Sequence, residues 1–134
     1  MNEQDNKKVV EQLYNAFETG DMTALLRLLA TDIEWRHPRG QDIPWGGMHK
    51  GHQGVIEFFR VISEAGEVMQ FLPGEYVAEG DKVMVLGHER IRVKSTGLVY
   101  ETDWVHEYTL RDHKVIKFSE YTDTASIIDA LKGK

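Results

Sequence analysis

The first half of the chain carries apolar residues at helical spacing. In residues 9–17 they recur at intervals of three and four, which is the pattern of one face of an amphipathic helix. Gly20 then Asp21 suit the end of that helix and the N-cap of a second one. A third helix is predicted from about residue 54 to residue 65, where Gly66 closes it.

A strand and a loop separate the second helix from the third. Residues 33–37 predict a short strand, which Pro38 ends. The loop after it contains Trp45, one proline and four glycines, namely Pro44, Gly40, Gly46, Gly47 and Gly51. A loop this long in a compact domain is often functional.

The second half alternates apolar and polar residues and predicts an antiparallel meander. Gly80-Asp81 is one of its turns, and Asp123 can cap a short last helix. Three helices with one inserted strand, then a meander, predict a single α+β domain over residues 1–134, with a curved sheet around the helices. The four strands of the meander are predicted at 69–78, 82–94, 98–110 and 114–122.

The predicted strand at 98–110 has chemically different residues on its two faces. Its even positions are mostly aromatic, whereas its odd positions include three acidic residues. Because alternate side chains point to opposite faces of a sheet, His106 is predicted inward with the aromatic set. Phe118 brings Glu120 inward on the last strand. On the strand at 82–94, we expect His88 and Arg90 to face inward.

Composition excludes several classes of function. The chain has no cysteine, and its 16 basic and 22 acidic residues give a net charge of −6. We therefore expect no thiolate chemistry, no nucleic-acid partner and no binding to an anionic membrane. No apolar stretch is long enough to span a bilayer, and the polar N-terminus favours a cytoplasmic location. His49 and His52 supply too few ligands for a metal, and no cofactor is implied.

The order and spacing of several motifs resemble one superfamily over nearly the whole chain. The runs that carry the resemblance are Tyr14-x-x-Phe17-x-x-Gly20-Asp21, Asp32-Ile33-x-Trp35, Gly51-His52-Gln53-Gly54-Val55, Trp104-x-His106 and Phe118-x-Glu120-Tyr121-x-Asp123. In these runs the chain is similar to SnoaL-like and ketosteroid isomerase-like domains of the nuclear transport factor 2-like superfamily.

The resemblance implies a cone-shaped fold, an open-ended pocket between sheet and helices, and a homodimer packed sheet to sheet. Ketosteroid isomerases place a general-base Asp just before the Pro that ends the first strand, and this chain has His37 there. His106 matches their oxyanion-binding Asp, and Leu13, beside Tyr14, matches their oxyanion Tyr. Glu120 matches the last-strand carboxylate of limonene epoxide hydrolase. The same fold serves polyketide cyclases and pure binding domains, so fold does not fix function.

The candidate chemistry is proton transfer. Imidazole titrates near neutral pH, so His37 is predicted as the base and His106 as the donor or second acid–base group, with Glu120 or Arg90 orienting them. The simpler interpretation is two core histidines, each bonded to a carboxylate or carbonyl, and a structural Glu120–Arg90 ion pair.

The sequence therefore predicts an enzyme of the isomerase, cyclase or hydratase kind, acting on a hydrophobic carbonyl compound. The alternative is a non-catalytic domain that uses the same pocket to bind a small ligand or to interact with a partner. A third possibility is a dimeric structural module with a filled core. The residues predicted to line the pocket are Tyr14, Phe17, Trp35, Trp45, Phe59, His88, Trp104 and Phe118.

Overall fold

Four helices and six strands make up the computed structural model, which describes residues 2–40 and 42–133. No helix in these residues is long and apolar enough to cross a bilayer. The helices are α1 (Glu3–Thr19), α2 (Met22–Arg27), α3 (Gly51–Ala65) and α4 (Thr124–Lys132), and the strands are β1 (Leu29–His37), β2 (Gly47–Lys50), β3 (Gly66–Glu79), β4 (Lys82–Val93), β5 (Val99–Arg111) and β6 (Lys114–Thr122).

The helix boundaries follow the capping residues. Gly20 ends α1 in the left-handed conformation, with φ 72°, which glycine adopts without steric cost. Asp21 accepts a hydrogen bond from the backbone N–H of Ala24, and Asp123 accepts one from the N–H of Ser126. The predicted stop at Gly20 and the predicted caps at Asp21 and Asp123 are confirmed.

The six strands form one curved, unclosed mixed sheet in the order β2-β1-β6-β5-β4-β3. The predicted meander from β3 to β6 is confirmed, and β1 adds to it in parallel with β6, so that Trp35 lies beside Phe118. Strand β2 was not predicted. Its glycine-rich segment has weak strand propensity, and pairing with β1, Trp35 opposite His49, forms it.

The helices pack against one face of this sheet and enclose the core. Trp35 of β1 and Phe118 of β6 stack with ring centroids 4.0 Å apart, and Phe58 of α3 packs over Trp35. The α+β prediction is confirmed.

Strand β4 presents the opposite face from the one we expected. Val83 and Val85 are fully buried and Ile91 is nearly so, which places the odd-numbered residues inward. The prediction that His88 and Arg90 face inward is wrong, because the β-branched residues bury more apolar surface than the charged ones.

Gly87 lets an aromatic ring approach the backbone of β4. It lies opposite Trp104 of β5, and a Cβ atom at this position would lie 2.2 Å from the Trp104 ring. Trp104 is buried, and it stacks on His106 with ring centroids 3.8 Å apart. A glycine at 87 is therefore what allows Trp104 to support His106.

Replacing Gly87 with alanine should destabilise the fold and displace Trp104. Overpacking of this kind costs about 1–3 kcal/mol, which urea unfolding followed by tryptophan fluorescence will measure. Gly40→Ala is the matched control, because its Cβ would make only ordinary contacts, 3.5 Å from Ile43. Equal stabilities of the two variants would contradict this account of Gly87.

Candidate functional site

A cavity of about 210 Å³ lies between the helices and the inner face of the sheet. Its wall is mostly aromatic and aliphatic, and the described residues that line it include no lysine or arginine. Nine of the predicted site residues line it, namely Tyr14, Phe17, Trp35, His37, Trp45, Phe59, His106, Phe118 and Glu120.

The polar part of the wall is centred on the carboxylate of Glu120. Oε1 of Glu120 lies 3.1 Å from Nδ1 of His37, and Oε2 lies 2.9 Å from Nε2 of His106. The three side chains are between 6% and 8% exposed. Strands β1, β6 and β5 are neighbours in the sheet, and their inward positions bring the three groups together.

The surroundings determine the protonation of this cluster. Burial opposes ionisation of Glu120, but attraction to the protonated form of His37 and the hydrogen bonds from both imidazoles outweigh this effect and hold the pKa of Glu120 well below its usual range. Burial also lowers the pKa of His106, although Glu120 opposes that effect. Near neutral pH the cluster therefore holds an ionised Glu120 and a neutral His106.

The hydrogen bonds of His106 define its tautomer. Nε2–H donates to the carboxylate of Glu120, so Nδ1 carries the lone pair and accepts from the hydroxyl of Tyr14, 2.8 Å away. Burial raises the pKa of Tyr14, which keeps the hydroxyl protonated as a donor. Both nitrogens of His106 are thus occupied within the protein.

His37 differs from His106 because one of its nitrogens is unused. Nδ1 donates to Glu120, whereas Nε2 is buried and has no hydrogen-bond partner among the described residues. The ring packs on Phe58, with centroids 4.1 Å apart. Nε1 of Trp35, another residue of the cavity wall, is also buried without a partner. Buried polar atoms without partners are uncommon in proteins and require an explanation.

Comparison with known proteins agrees with this architecture. A family model described as a SnoaL-like domain matches residues 10–118. The chain belongs to the SnoaL-like domain family. No curated protein sequence matches it.

Three solved structures show how close the resemblance of this SnoaL-like domain to its neighbours is. An NTF2-like protein from Burkholderia xenovorans LB400 is 37% identical over 98% of both chains, with a TM-score of 0.90. An NTF2-like protein from Burkholderia pseudomallei K96243 is 29% identical over 95% of this chain and 97% of its own, with a TM-score of 0.88. TerC, co-crystallised with polyporic acid, is 28% identical over 96% and 98%, with a TM-score of 0.87.

Three predicted site residues of the SnoaL-like domain lie outside the cavity wall. His88 is on the outer face of the sheet, where it bonds the carboxylates of Asp103 and Glu101 at 2.9 and 3.0 Å. Arg90 lies on the same face, with Nε 3.6 Å from Glu101. Trp104 faces inward but stacks behind His106, without lining the cavity. The predicted pocket positions of His88, Arg90 and Trp104 are therefore wrong, as is the Glu120–Arg90 pair.

His49 and His52 form hydrogen bonds with backbone carbonyl groups. Nε2 of His49 lies 2.8 Å from the carbonyl of Trp45, and Nε2 of His52 lies 3.0 Å from that of Leu29. The first contact holds the loop so that Trp45, 4% exposed, joins the cavity wall. In residues 2–40 and 42–133 no group of three or more His, Asp or Glu side chains is arranged so that it could hold a metal ion.

The structure adds one carboxyl group that the sequence interpretation missed. Glu89 lies on the inner side of β4 and lines the cavity. Burial, with a smaller contribution from the charge of Glu120, raises the pKa of Glu89 to about 8. The alternation of Val83, Val85 and Ile91 carried the signal, because the same face must include Glu89.

Replacing Glu89 with glutamine should stabilise the domain at alkaline pH. The unfolded chain ionises this carboxyl near its ordinary pKa of 4.5, whereas the folded chain keeps the proton up to about pH 8. Stability therefore falls as the pH rises through that window. Because each pKa unit is worth about 1.4 kcal/mol, we expect the melting temperature of Glu89→Gln to exceed that of the wild type by several degrees at pH 8.

The same comparison at pH 5 should show a much smaller difference, which calorimetry will measure. Glu101→Gln is the matched control, since its side chain is 55% exposed on the outer face. An equal rise in melting temperature at both pH values, or a fall at pH 8, would contradict the raised pKa of Glu89.

Proposed function

We propose that this SnoaL-like domain is a small-molecule enzyme of the isomerase, cyclase or hydratase kind. It acts by general acid–base proton transfer on a hydrophobic carbonyl compound bound in the cavity. The observation that carries the proposal is the pairing of His37 with a buried carboxylate, which leaves Nε2 of His37 unpartnered in an apolar wall.

His37 is the proposed base. The bond from Nδ1–H to Glu120 holds the imidazole in the tautomer whose Nε2 has a free lone pair. When Nε2 takes a proton from the carbon beside a carbonyl group, the electron pair moves to the carbonyl oxygen, and the carboxylate stabilises the imidazolium formed. Return of the proton at the same or another carbon completes the cycle. General-base catalysis of this type contributes about 10²–10⁴-fold in rate.

His106 is the proposed positioning residue. Because Tyr14 and Glu120 occupy both of its nitrogens, His106 is not the direct donor that the sequence suggested. It supplies the second hydrogen bond to the carboxylate and fixes the direction of Glu120. Tyr14 in turn fixes the tautomer of His106. Glu120 takes the orienting role that the sequence shared between Glu120 and Arg90.

The cavity restricts the substrate. A cavity of about 150 Å³ holds benzene, so one of about 210 Å³ suits a molecule of one or two rings. Without a lysine or arginine in the described wall, an uncharged substrate is favoured.

The homodimer that the resemblance implies stays a prediction. Three exposed apolar residues favour the outer side of the sheet as the contact surface, since Leu72, Leu86 and Tyr121 are each about half exposed. Together they line a shallow depression on that face.

The proposal is tested by exchange of carbon-bound protons. 2-Acetylnaphthalene, a two-ring methyl ketone, is incubated with the protein in D₂O, and loss of the methyl proton signal is followed by NMR. We expect the wild type to exceed the buffer rate and His37→Gln to lose about 10²-fold or more of that acceleration. His88→Gln is the control, because that histidine lies on the outer face.

A ketone that binds without exchange above the buffer rate would contradict the enzyme and favour the ligand-binding alternative. Equal exchange by the wild type and His37→Gln would exclude His37 as the base. Circular dichroism of each variant establishes that it is folded.

A further inference from the structure

Glu89 has no role in the cluster described above, although it lines the same cavity. It lies on β4, opposite Phe71 of β3 and Thr102 of β5. Among the described residues, no side chain forms a hydrogen bond or an ion pair with its carboxyl group. Acidic residues at inward positions are costly unless they are paired or carry a proton, so this one requires an explanation.

The other titratable groups of the cavity wall favour an uncharged Glu89. They come from four elements, and none is a lysine or arginine that would stabilise a second carboxylate. Elements α3, α4 and β3 contribute no charged side chain to the described wall. The groups are Tyr14 from α1, His37 from β1, Tyr100, His106 and Tyr108 from β5, and Glu120 from β6.

The two carboxyl groups of the cavity therefore have opposite protonation states. Two histidines stabilise the negative charge of Glu120, whereas Glu89 has no cation beside it and Glu120 repels its ionised form. A pair of titratable groups held in opposite states is typical of a site with separate acid and base roles.

We propose that Glu89 is the substrate-recognition residue of this cavity, donating its carboxyl O–H to a neutral acceptor oxygen such as that of a ketone, aldehyde or lactone. This inference rests on the proposed function and specifies its substrate class. The hydrogen bond places the carbonyl oxygen at β4 and strengthens as negative charge develops on that oxygen.

The same arrangement discriminates against carboxylate ligands. A carboxylate in this cavity would lie near ionised Glu120 with no lysine or arginine in the described wall to offset the repulsion. Ionisation of Glu89 removes the donor and adds a like charge. Binding of a ketone should therefore weaken as Glu89 loses its proton.

The first part of the experiment observes the carboxyl group itself. The protein is labelled with ¹³C at the glutamate side-chain carboxyl carbon, and Glu89→Gln identifies the signal by its loss. We expect the Glu89 signal to titrate near pH 8 and to shift when 2-acetylnaphthalene binds at pH 7. This measurement does not depend on turnover.

The second part measures the affinity for 2-acetylnaphthalene by calorimetry. Apparent affinity follows the fraction of protein in the binding-competent state, so wild-type affinity should fall about 30-fold between pH 7 and pH 9.5. Glu89→Gln, whose amide still donates, should bind within about threefold of the wild type at pH 7 and lose this pH dependence. Glu89→Leu should bind at least tenfold more weakly, and Glu101→Gln should behave as the wild type. The carboxylate analogue 2-naphthoate should bind at least tenfold more weakly than the ketone.

Each outcome decides between the proposals. Any of three results would overturn the role of Glu89. The Glu89 signal could titrate below pH 6, or it could stay in place with saturating ketone. The third is a Glu89→Leu variant that binds the ketone with wild-type affinity. Failure of the ketone to bind at all would overturn it as well. Binding through Glu89 without proton exchange would retain this inference and overturn only the proposed catalysis.

Discussion

The site depends on one buried carboxylate that is held between two imidazoles. Glu120 would be unfavourable as an ion in this apolar wall if it were alone. His37 and His106 each donate to one of its oxygens, so the ion is fully engaged on both sides. The same two bonds also determine which nitrogen of each imidazole does not bond to Glu120. One of these nitrogens is bonded by Tyr14, and the other, on His37, has no partner within the described protein.

The fold holds this arrangement through neighbouring strands. His37 is the last residue of β1, which runs parallel to β6 and pairs Trp35 with Phe118, and His106 lies directly opposite Glu120 on β5. The stacked ring of Trp104 supports His106 from behind, and Gly87 leaves room for that ring. Substitutions outside the cavity can therefore move the acid–base groups through packing alone.

Much of the fold could be predicted from local sequence patterns, whereas the hydrogen-bond partners within the site could not. The helix ends could be predicted because their caps are local: the hydrogen bonds of Gly20, Asp21 and Asp123 reach residues only a few positions away in the chain. The His37–Glu120 bond spans 83 positions in the chain, and only the register between β1 and β6 creates it. Strand β2 likewise exists because β1 pairs with it.

The incorrect face of β4 has a physical explanation. The sequence prediction placed His88 and Arg90 inward, although the odd-numbered valines and isoleucine of that strand have more apolar surface to bury. Burial of these apolar side chains determines which face of β4 points inward. It also places Glu89 at the cavity, as the only ionisable side chain on the inner face of this strand among the described residues.

The most direct test of the account is ¹⁵N NMR of the histidine side chains at pH 8. The account predicts that His106 is neutral with its proton on Nε2, and that His37 carries its proton on Nδ1 with Nε2 unprotonated. Doubly protonated rings at this pH, or protons on the opposite nitrogens, would contradict the central claim that Glu120 sets both tautomers and leaves His37 free to act as a base.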